Sequence, residues 1–276
     1  MFTFIVVLYK ETPKNSITIR SLEDSLKKIN IQTMISLIIY DNSPISSETE
    51  IQYLNFPKNI KVLYQHDPSN KGIATAYNYG FEYAQKHQDT WLCLLDQDTV
   101  ITEKYLEEVF PIIEKNDCVC DAIIPQIKDE ESIISPIFTD KKGIVPPSGK
   151  YSAANIMGIN SGAIFKTKFL EEIGGFNLEF PLDYLDHWLF FMLNKLEKTI
   201  LVINCVLEHD LSVKHLKSVG NNRYYNILFY EKKFIKKYQP QKMIGYYGHS
   251  VVRMLKCIMI SPSKVPLIIK VLFKSV

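Results

Sequence analysis

Two carboxylates separated by one residue, Asp96 and Asp98, close a short apolar run over residues 91–95. A run of that length bounded by polar residues reads as a buried strand, so both acids stand where a strand leaves the core. Carboxylates in that position cost desolvation energy unless a cation or hydrogen-bond donors offset it. Hard divalent cations such as Mg²⁺ or Mn²⁺ favour carboxylate oxygens and keep positions open for phosphate oxygens. The competing reading is a strand-to-helix turn in which Asp98 or Thr99 caps a helix starting near Glu103. A second acidic pair, Asp183 and Asp186, is followed directly by His187 and Trp188. Residues three apart share a helix face, and a carboxylate there could take a proton from an attacking hydroxyl; the alternative is a helix N-terminus that favours acids through its dipole. His209 follows the last strong apolar run, residues 199–207, within Glu208-His209-Asp210. A lone His is more often a structural hydrogen-bonder, but at a strand end in an acid-rich cleft it is a candidate metal ligand.

These side chains need a frame, and the periodicity supplies one. Residues 2–8 form a continuous β-rich run, the pattern of a strand covered on both faces. Ile19, Leu22, Leu26 and Ile29 then recur at helical spacing, and a second run, residues 34–40, ends in Asp41-Asn42-Ser43-Pro44. Residues 60–64 predict a third strand, followed by a polar stretch through Asn70, Lys71 and Gly72 and a helix over residues 73–86. Gly72 ahead of a helix N-terminus would let backbone N–H groups approach an anion such as diphosphate. Neither G-x-G-x-x-G nor G-x-x-x-x-G-K-[ST] occurs, which argues against a dinucleotide fold or a P-loop NTPase. Strands alternating with helices predict an α/β protein with a mostly parallel central sheet flanked by helices, binding its ligand at the C-terminal edge of the strands. Residues 130–150 read as a long loop, 153–157 and 161–165 as strands, and 168–173 as a short helix closed by Gly174-Gly175.

At 276 residues and 46% hydrophobic, the chain can bury one large core with a small appendage. Its formal net charge of +2 conceals an asymmetry: residues 211–276 hold thirteen Lys/Arg and one acid, Glu231, leaving 19 basic (32 − 13) and 29 acidic (30 − 1) residues before them. This basic, helical tail suits an anionic partner. Its last segment, residues 251–276, mixes apolar residues with Lys256, Lys264 and Lys270 and is broken by Pro262 and Pro266. That pattern fits a segment lying on an anionic membrane surface; helices packed back on the domain with solvated lysines is the competing reading. No nucleic-acid reader motif is present, so nucleic acid is not an expected partner. Five cysteines, with no C-x-x-C pair and no export signal, predict a reducing compartment. No uninterrupted apolar run is long enough to span a bilayer. The expected location is cytoplasmic, peripheral on the inner face of the cell membrane.

Several stretches occur in an order that together resembles the family-2 inverting glycosyltransferases, in particular their rhamnosyltransferase-like branch. They are Val7-Leu8-Tyr9, Asp41-Asn42-Ser43, Asn70-Lys71-Gly72-Ile73-Ala74, Asn78-Tyr79-Gly80 and Leu95-Asp96-Gln97-Asp98. Asn160-Ser161-Gly162-Ala163, Ile173-Gly174-Gly175-Phe176, Asp183-Tyr184-Leu185-Asp186 and His209 complete the series. The resemblance covers roughly residues 2–230. It implies a GT-A fold over residues 1–220, with a nucleotide-binding half (1–99), an acceptor-binding half (100–220) and a C-terminal helical extension, residues 221–276.

The resemblance also implies roles. Asp41 would contact the nucleobase, and Tyr9, Asn70 and Gly72 would line the nucleotide pocket. Asp96 would reach the ribose or the metal's outer shell, with Gln97 beside it. Asp98 and His209 would hold Mn²⁺ or Mg²⁺, Asp186 would be the general base, and Asp183, His187 and Trp188 are acceptor-side candidates. Chemistry asks for the same parts: a carboxylate to deprotonate the acceptor hydroxyl, and a Lewis acid to stabilise the diphosphate leaving group. Many relatives carry a carboxylate and an Arg after the base, where this chain has Trp188, Leu189 and Met192, which predicts a more apolar acceptor side. The expected activity is transfer of a sugar, with dTDP-rhamnose the leading donor and a UDP-hexose or UDP-galactofuranose the alternative. The acceptor would be a hydroxyl of a lipid-linked or growing bacterial surface polysaccharide. Competing readings are a nucleotidyltransferase and a catalytically silent glycan- or membrane-binding subunit.

Overall fold

The computed structural model describes residues 2–115, 119–130, 132–141, 143–209 and 219–275. The chain opens with β1 (Phe2–Leu8), α1 (Ile17–Lys28), β2 (Ile35–Asp41), β3 (Ile60–His66), α2 (Ile73–Lys86) and β4 (Trp91–Asp96). Then come β5 (Thr99–Val100), α3 (Glu103–Lys115), β6 (Ala122–Asp129), β7 (Ser132–Ser135), β8 (Ile137–Phe138), β9 (Gly149–Ser152), β10 (Ile156–Met157) and β11 (Ile164–Lys166). The remaining elements are α4 (Thr167–Glu172), α5 (Leu185–Lys195), β12 (Thr199–His209), α6 (Asn221–Tyr238), α7 (Met243–Ile260) and α8 (Val265–Phe273).

One sheet runs through the molecule in the order β3-β2-β1-β4-β11-β6-β12-β5. β1 is parallel to β2 and β4, β2 to β3, and β6 to β12, while β11 runs antiparallel between β4 and β6. Alternate side chains of β1 enter different layers, as a strand period of two dictates. Ile5 and Val7 join α2, α5 and Phe234 of α6 on one face, and Phe4, Val6 and Leu8 join α1 and α3 on the other. Every residue of β1 is buried, which explains why its sequence is a continuous apolar run and not an alternating one. The parallel register aligns Leu8 with Asp41, Asp41 with His66 and Val7 with Asp96, so the strand ends form one polar edge.

Strand β6 escapes a pattern search because Pro125 sits inside it, and proline cannot donate to a sheet ladder. β12 accommodates the gap: Ile124 faces Val202 and Gln126 faces Val206, an irregularity that falls at the proline. The loop expected over residues 130–150 is corrected in part, because β7 pairs with β6 and β8 with β10 inside or beside it.

The tail packs on the domain. Phe180 is ringed by Tyr230, Phe234 and Tyr238 of α6, at centroid distances of 6.1, 6.0 and 6.0 Å, and Phe234 is 3% exposed. α7 and α8 close on α6 around Tyr224, Leu228, Cys257, Ile268 and Val271. The expectation of uniformly solvated lysines is corrected at two positions. Lys232 is buried and donates to the carbonyls of Val271, Leu272 and Lys274 at 3.0, 2.7 and 2.9 Å, capping the negative end of α8. Lys264 is buried over the Tyr224 ring, 4.7 Å from its centroid, and donates to the Val219 carbonyl. Among the described residues, no helix is long and apolar enough to cross a membrane. Cys93, Cys205 and Cys257 are free and buried, whereas Cys120 is disulfide-bonded, which departs from an all-thiol expectation; Cys118 lies outside the described residues.

Candidate active site

The turn from Asp96 to Thr99 is held by the start of α1. Ser16 Oγ donates to the Gln97 carbonyl at 2.9 Å, and the Thr18 N–H donates to the same oxygen at 3.2 Å. Thr18 Oγ1 accepts the Thr99 N–H at 2.8 Å and lies within donating distance of the Asp96 and Thr99 carbonyls. The Gln97 side chain turns the other way and accepts the Tyr9 N–H at 2.8 Å. These bonds tie the backbone on both sides of Asp98 to the start of α1. The helix-cap alternative for Asp98 and Thr99 gives way to Thr102, whose Oγ1 accepts the Tyr105 N–H at 3.2 Å, while the side chains of Asp98 and Thr99 face His209.

Sheet topology brings in the histidine. β5 pairs antiparallel with β12, placing His209 opposite Thr99 across 110 residues of sequence. His209 Nδ1 lies 3.0 Å from Thr99 Oγ1 and 3.3 Å from Asp98 Oδ1. One ligand atom from each of Asp96, Asp98 and His209 falls within 4.8 Å of the others. Two carboxylates and one imidazole at this spacing suit a hard or borderline divalent cation with positions left for other oxygens. Asp96 is held from two sides: Tyr77 donates to its Oδ1 at 3.1 Å, and Ser161 donates to Oδ2. Burial holds the Tyr77 hydroxyl well above its ordinary pKa, so it stays a donor. Asp210 lies outside the described residues.

The facing wall comes from the start of α5 and from α6. Tyr184, the residue before α5, has φ 67°, a left-handed conformation costly for a bulky side chain. Its ring stacks on His187 at 4.4 Å and packs against Phe234 at 5.8 Å. That kink carries Asp183 and Asp186 into the same cleft as Asp96 and Asp98. Asp183 forms a two-point pair with Arg223 of α6, at 2.9 and 3.1 Å. Burial pushes the Asp183 carboxyl up to about 6, against the lowering pull of Arg223 and with a smaller push from Asp186. Asp186 Oδ1 accepts the adjacent His187 N–H at 2.7 Å. Trp188 does not reach this cleft; it is 5% exposed and lines a separate hollow with Tyr79, Phe176 and Met192. Successive helix residues do not share a face, so His187 and Trp188 part company.

On the strand-end side, Tyr9, Asn70 and Gly72 line the cleft. Asp41 does not: it is 0% exposed, with Oδ1 accepting the Ser43 N–H at 2.8 Å and Oδ2 accepting from the Tyr64 hydroxyl at 2.6 Å. Its neighbour Asn42 lines the cleft instead. The fold gives a further reason for glycine at position 72. At φ 97° a Cβ would sit 2.3 Å from the Pro181 carbonyl oxygen, and that oxygen accepts the Ala74 N–H at 3.2 Å. The helix N-terminus is therefore partly satisfied by the protein itself.

The whole cleft holds about 730 Å³. It also includes residues to which no role was given from sequence: Asn42, Asn160, Ser161, Arg223 and Ile227. The side-chain oxygens of Asn42 and Asn160 are buried without a hydrogen-bond partner among the described residues, a state that a ligand's donors would relieve. Ser161 sits over Asp96 because the Gly162 N–H donates to the Leu94 carbonyl at 2.9 Å.

Comparison with known proteins agrees with this architecture. The pattern of the family described as "Glycosyl transferase family 2" matches residues 3–174. The S. aureus TarS structure is similar at a TM-score of 0.60 and 14% identity, over 86% of this chain and 40% of that one. Mannosyltransferase PcManGT from Pyrobaculum calidifontis, in complex with GDP-Man and Mn²⁺, is similar at 0.59 and 13% identity, over 100% of this chain and 76% of that one. GalNAc-T7 with UDP, GalNAc and Mn²⁺ gives 0.56 and 14% identity, over 85% and 49% of the two chains. At such identities the likeness is one of fold. None of the curated proteins compared matches the chain.

Proposed function

The chain belongs to glycosyl transferase family 2 with a GT-A type α/β fold, and from that premise we propose that it is a metal-dependent, inverting glycosyltransferase. The observation that carries the reading is the placing of Asp96, Asp98 and His209 within one coordination sphere's reach, in a cleft that also holds Asp186. A nucleotide sugar would lie along Tyr9, Asn42, Asn70 and Gln97, with its diphosphate at Asp98 and His209. When bound, Mn²⁺ or Mg²⁺ would supply Lewis-acid stabilisation of the leaving diphosphate. Asp96, held by Tyr77 and Ser161, would orient ribose or the metal's outer shell. Asp41 would act on the nucleobase indirectly, by fixing Ser43 and the turn that presents Asn42.

Asp186 would accept the proton of the acceptor hydroxyl as that oxygen bonds to the anomeric carbon and the diphosphate departs. One base and no carboxylate nucleophile gives a single displacement with inversion, unlike the paired-carboxylate arrangement of retaining glycosidases. We assign residues 1–99 to the nucleotide half, 100–220 to the acceptor half and 221–276 to a tail. The acceptor would be a lipid-linked or growing bacterial surface glycan met at the inner face of the cell membrane. The resemblance, through Gln97 between the two acids, makes dTDP-rhamnose the leading donor, with a UDP-hexose or UDP-galactofuranose the alternative. The relatives of known ligand include a UDP-GlcNAc complex of S. aureus TarS and the GDP-Man complex above, so the donor panel must include these sugars.

The test is release of nucleoside diphosphate from a panel of donors with Mn²⁺, Mg²⁺ or chelator, followed by NMR of the product anomer. One donor turned over only with metal, giving the opposite anomeric configuration, is the expected result. Retention of configuration would overturn the single-displacement reading. A folded protein that binds and consumes no donor would favour a silent binding subunit.

A further inference from the structure

Helix α7 carries two apolar faces, and the fold uses one of them. Tyr246, Ser250 and Cys257 turn inward and are buried. On the same side Arg253 grips Glu231 of α6 through both terminal nitrogens, at 2.6 and 3.1 Å. Round the other side Ile244, Val251, Val252, Leu255, Ile258 and Met259 are all between 50% and 86% exposed. Their spacing is that of one helical stripe, and none of the described residues covers it. Isolated exposed apolar residues are ordinary, but a continuous stripe of six marks an interaction surface.

Charge identifies the partner. From residue 238 to the C-terminal end the sequence has six Lys/Arg and no Asp or Glu. Arg253 is neutralised by Glu231 and Lys264 is buried, while Lys242, Lys256, Lys270 and Lys274 are exposed. Lys256 lies about 100° round the helix from Leu255, at the border of the stripe. A second copy would meet the Lys256 border, on a tail without acids of its own beyond Glu231, with like charge, and a nucleic acid offers nothing to bury six aliphatic side chains. An anionic lipid bilayer satisfies both features, taking the stripe into the headgroup–acyl boundary and Lys256 among its phosphates, while Lys270 and Lys274, held over the Tyr225 ring, add to the tail's positive field.

We propose that the outer face of α7 rests on an anionic lipid bilayer. The assignment deepens the proposed function and rests on it for its purpose, since α6 supplies Arg223 and Ile227 to the cleft wall and Glu231 to the grip on α7. One helix thus ties the bilayer-facing surface to the cleft, and an acceptor carried by a lipid would be presented at a fixed place relative to Asp186.

The experiment is co-sedimentation of the full chain with vesicles of phosphatidylcholine alone and of phosphatidylcholine with phosphatidylglycerol. It compares wild type with the triple variant Val252→Glu/Leu255→Glu/Met259→Glu, each checked for folding by circular dichroism. Wild type should partition to the anionic vesicles, more weakly in high salt. The triple variant should partition roughly tenfold less or worse, with its nucleotide-dependent thermal shift unchanged. Wild type remaining in the supernatant, or a variant that binds equally, overturns the proposal; a wild-type dimer dispersed by the variant without vesicle binding would assign the face to self-association instead. Should the triple variant misfold, Lys256→Gln/Lys270→Gln gives the second reading, with a several-fold drop on anionic vesicles expected and no drop contradicting the proposal. Failure of nucleotide binding in wild type would sink the glycosyltransferase reading while leaving the vesicle result to stand.

Discussion

Asp183 and Asp186 share a wall of the cleft but have different company, and that difference divides their work. Asp183 is bound at two points by Arg223, whereas Asp186 lines the cleft with the adjacent His187 N–H on its carboxylate and no basic partner among the described residues. Asp186→Asn keeps the shape and removes the base, so turnover should fall about 100- to 10,000-fold with donor affinity preserved; unchanged turnover would free Asp186 from that role. Burial raises the Asp183 carboxyl to about 6, so its folded form holds a proton more tightly than its unfolded form. Its contribution to stability is therefore lost as pH climbs from the ordinary carboxylate range through about 6. A carboxyl carbon titration by NMR should place its midpoint there, and a midpoint in the ordinary range would mean that Arg223 outweighs burial. Thr99 Oγ1 orients His209, and Thr99→Val should cost about 10- to 100-fold in metal affinity, read by Mn²⁺ titration. The acids were legible in the sequence because their spacing announces them. Arg223 was not, since it lies 40 residues from its partner in what reads as a uniformly basic tail.

At the level of elements, the metal-binding turn depends on two contacts made far away in sequence. α1 ties down the backbone between Asp96 and Thr99, and the β5–β12 pairing delivers His209. Thr18→Val keeps the volume but strips the Thr99 N–H of its partner, a loss worth about 1–3 kcal/mol for a buried donor. Chemical denaturation should show that loss, together with weaker metal-dependent nucleotide binding; a variant as stable and as tight as wild type would show that the turn needs no tether. The strands of the first half could be read from sequence because both faces are covered and the runs are purely apolar. β6 could not, because Pro125 breaks its pattern, and β5 is two residues long. Gly72 was legible as a special position at a helix start, but only the fold shows the Pro181 carbonyl pressed against it, a second reason for glycine there.

Across the whole molecule, one edge of the sheet gathers the candidate chemistry and one helix pair links it to an exposed apolar surface. The tail illustrates how far charge pattern alone can reach. Its basic composition was plain, but the same sequence fits packed helices and a surface-binding segment, and the fold shows α7 packing with one face while exposing the other. Removing residues 251–276 would strip the partners of Tyr224 and Leu228 from the tail core, so point substitutions on the outer face separate binding from folding better than truncation does. The reading stands most directly on metal-dependent nucleotide binding at Asp98 and His209. Isothermal titration of dTDP, UDP and GDP into the protein, with Mn²⁺ and with chelator, measures it. One nucleotide binding tightly with Mn²⁺, and losing that binding both in chelator and in Asp98→Ala, is the predicted result. Equal affinity with and without metal, unaffected by Asp98→Ala, would contradict it.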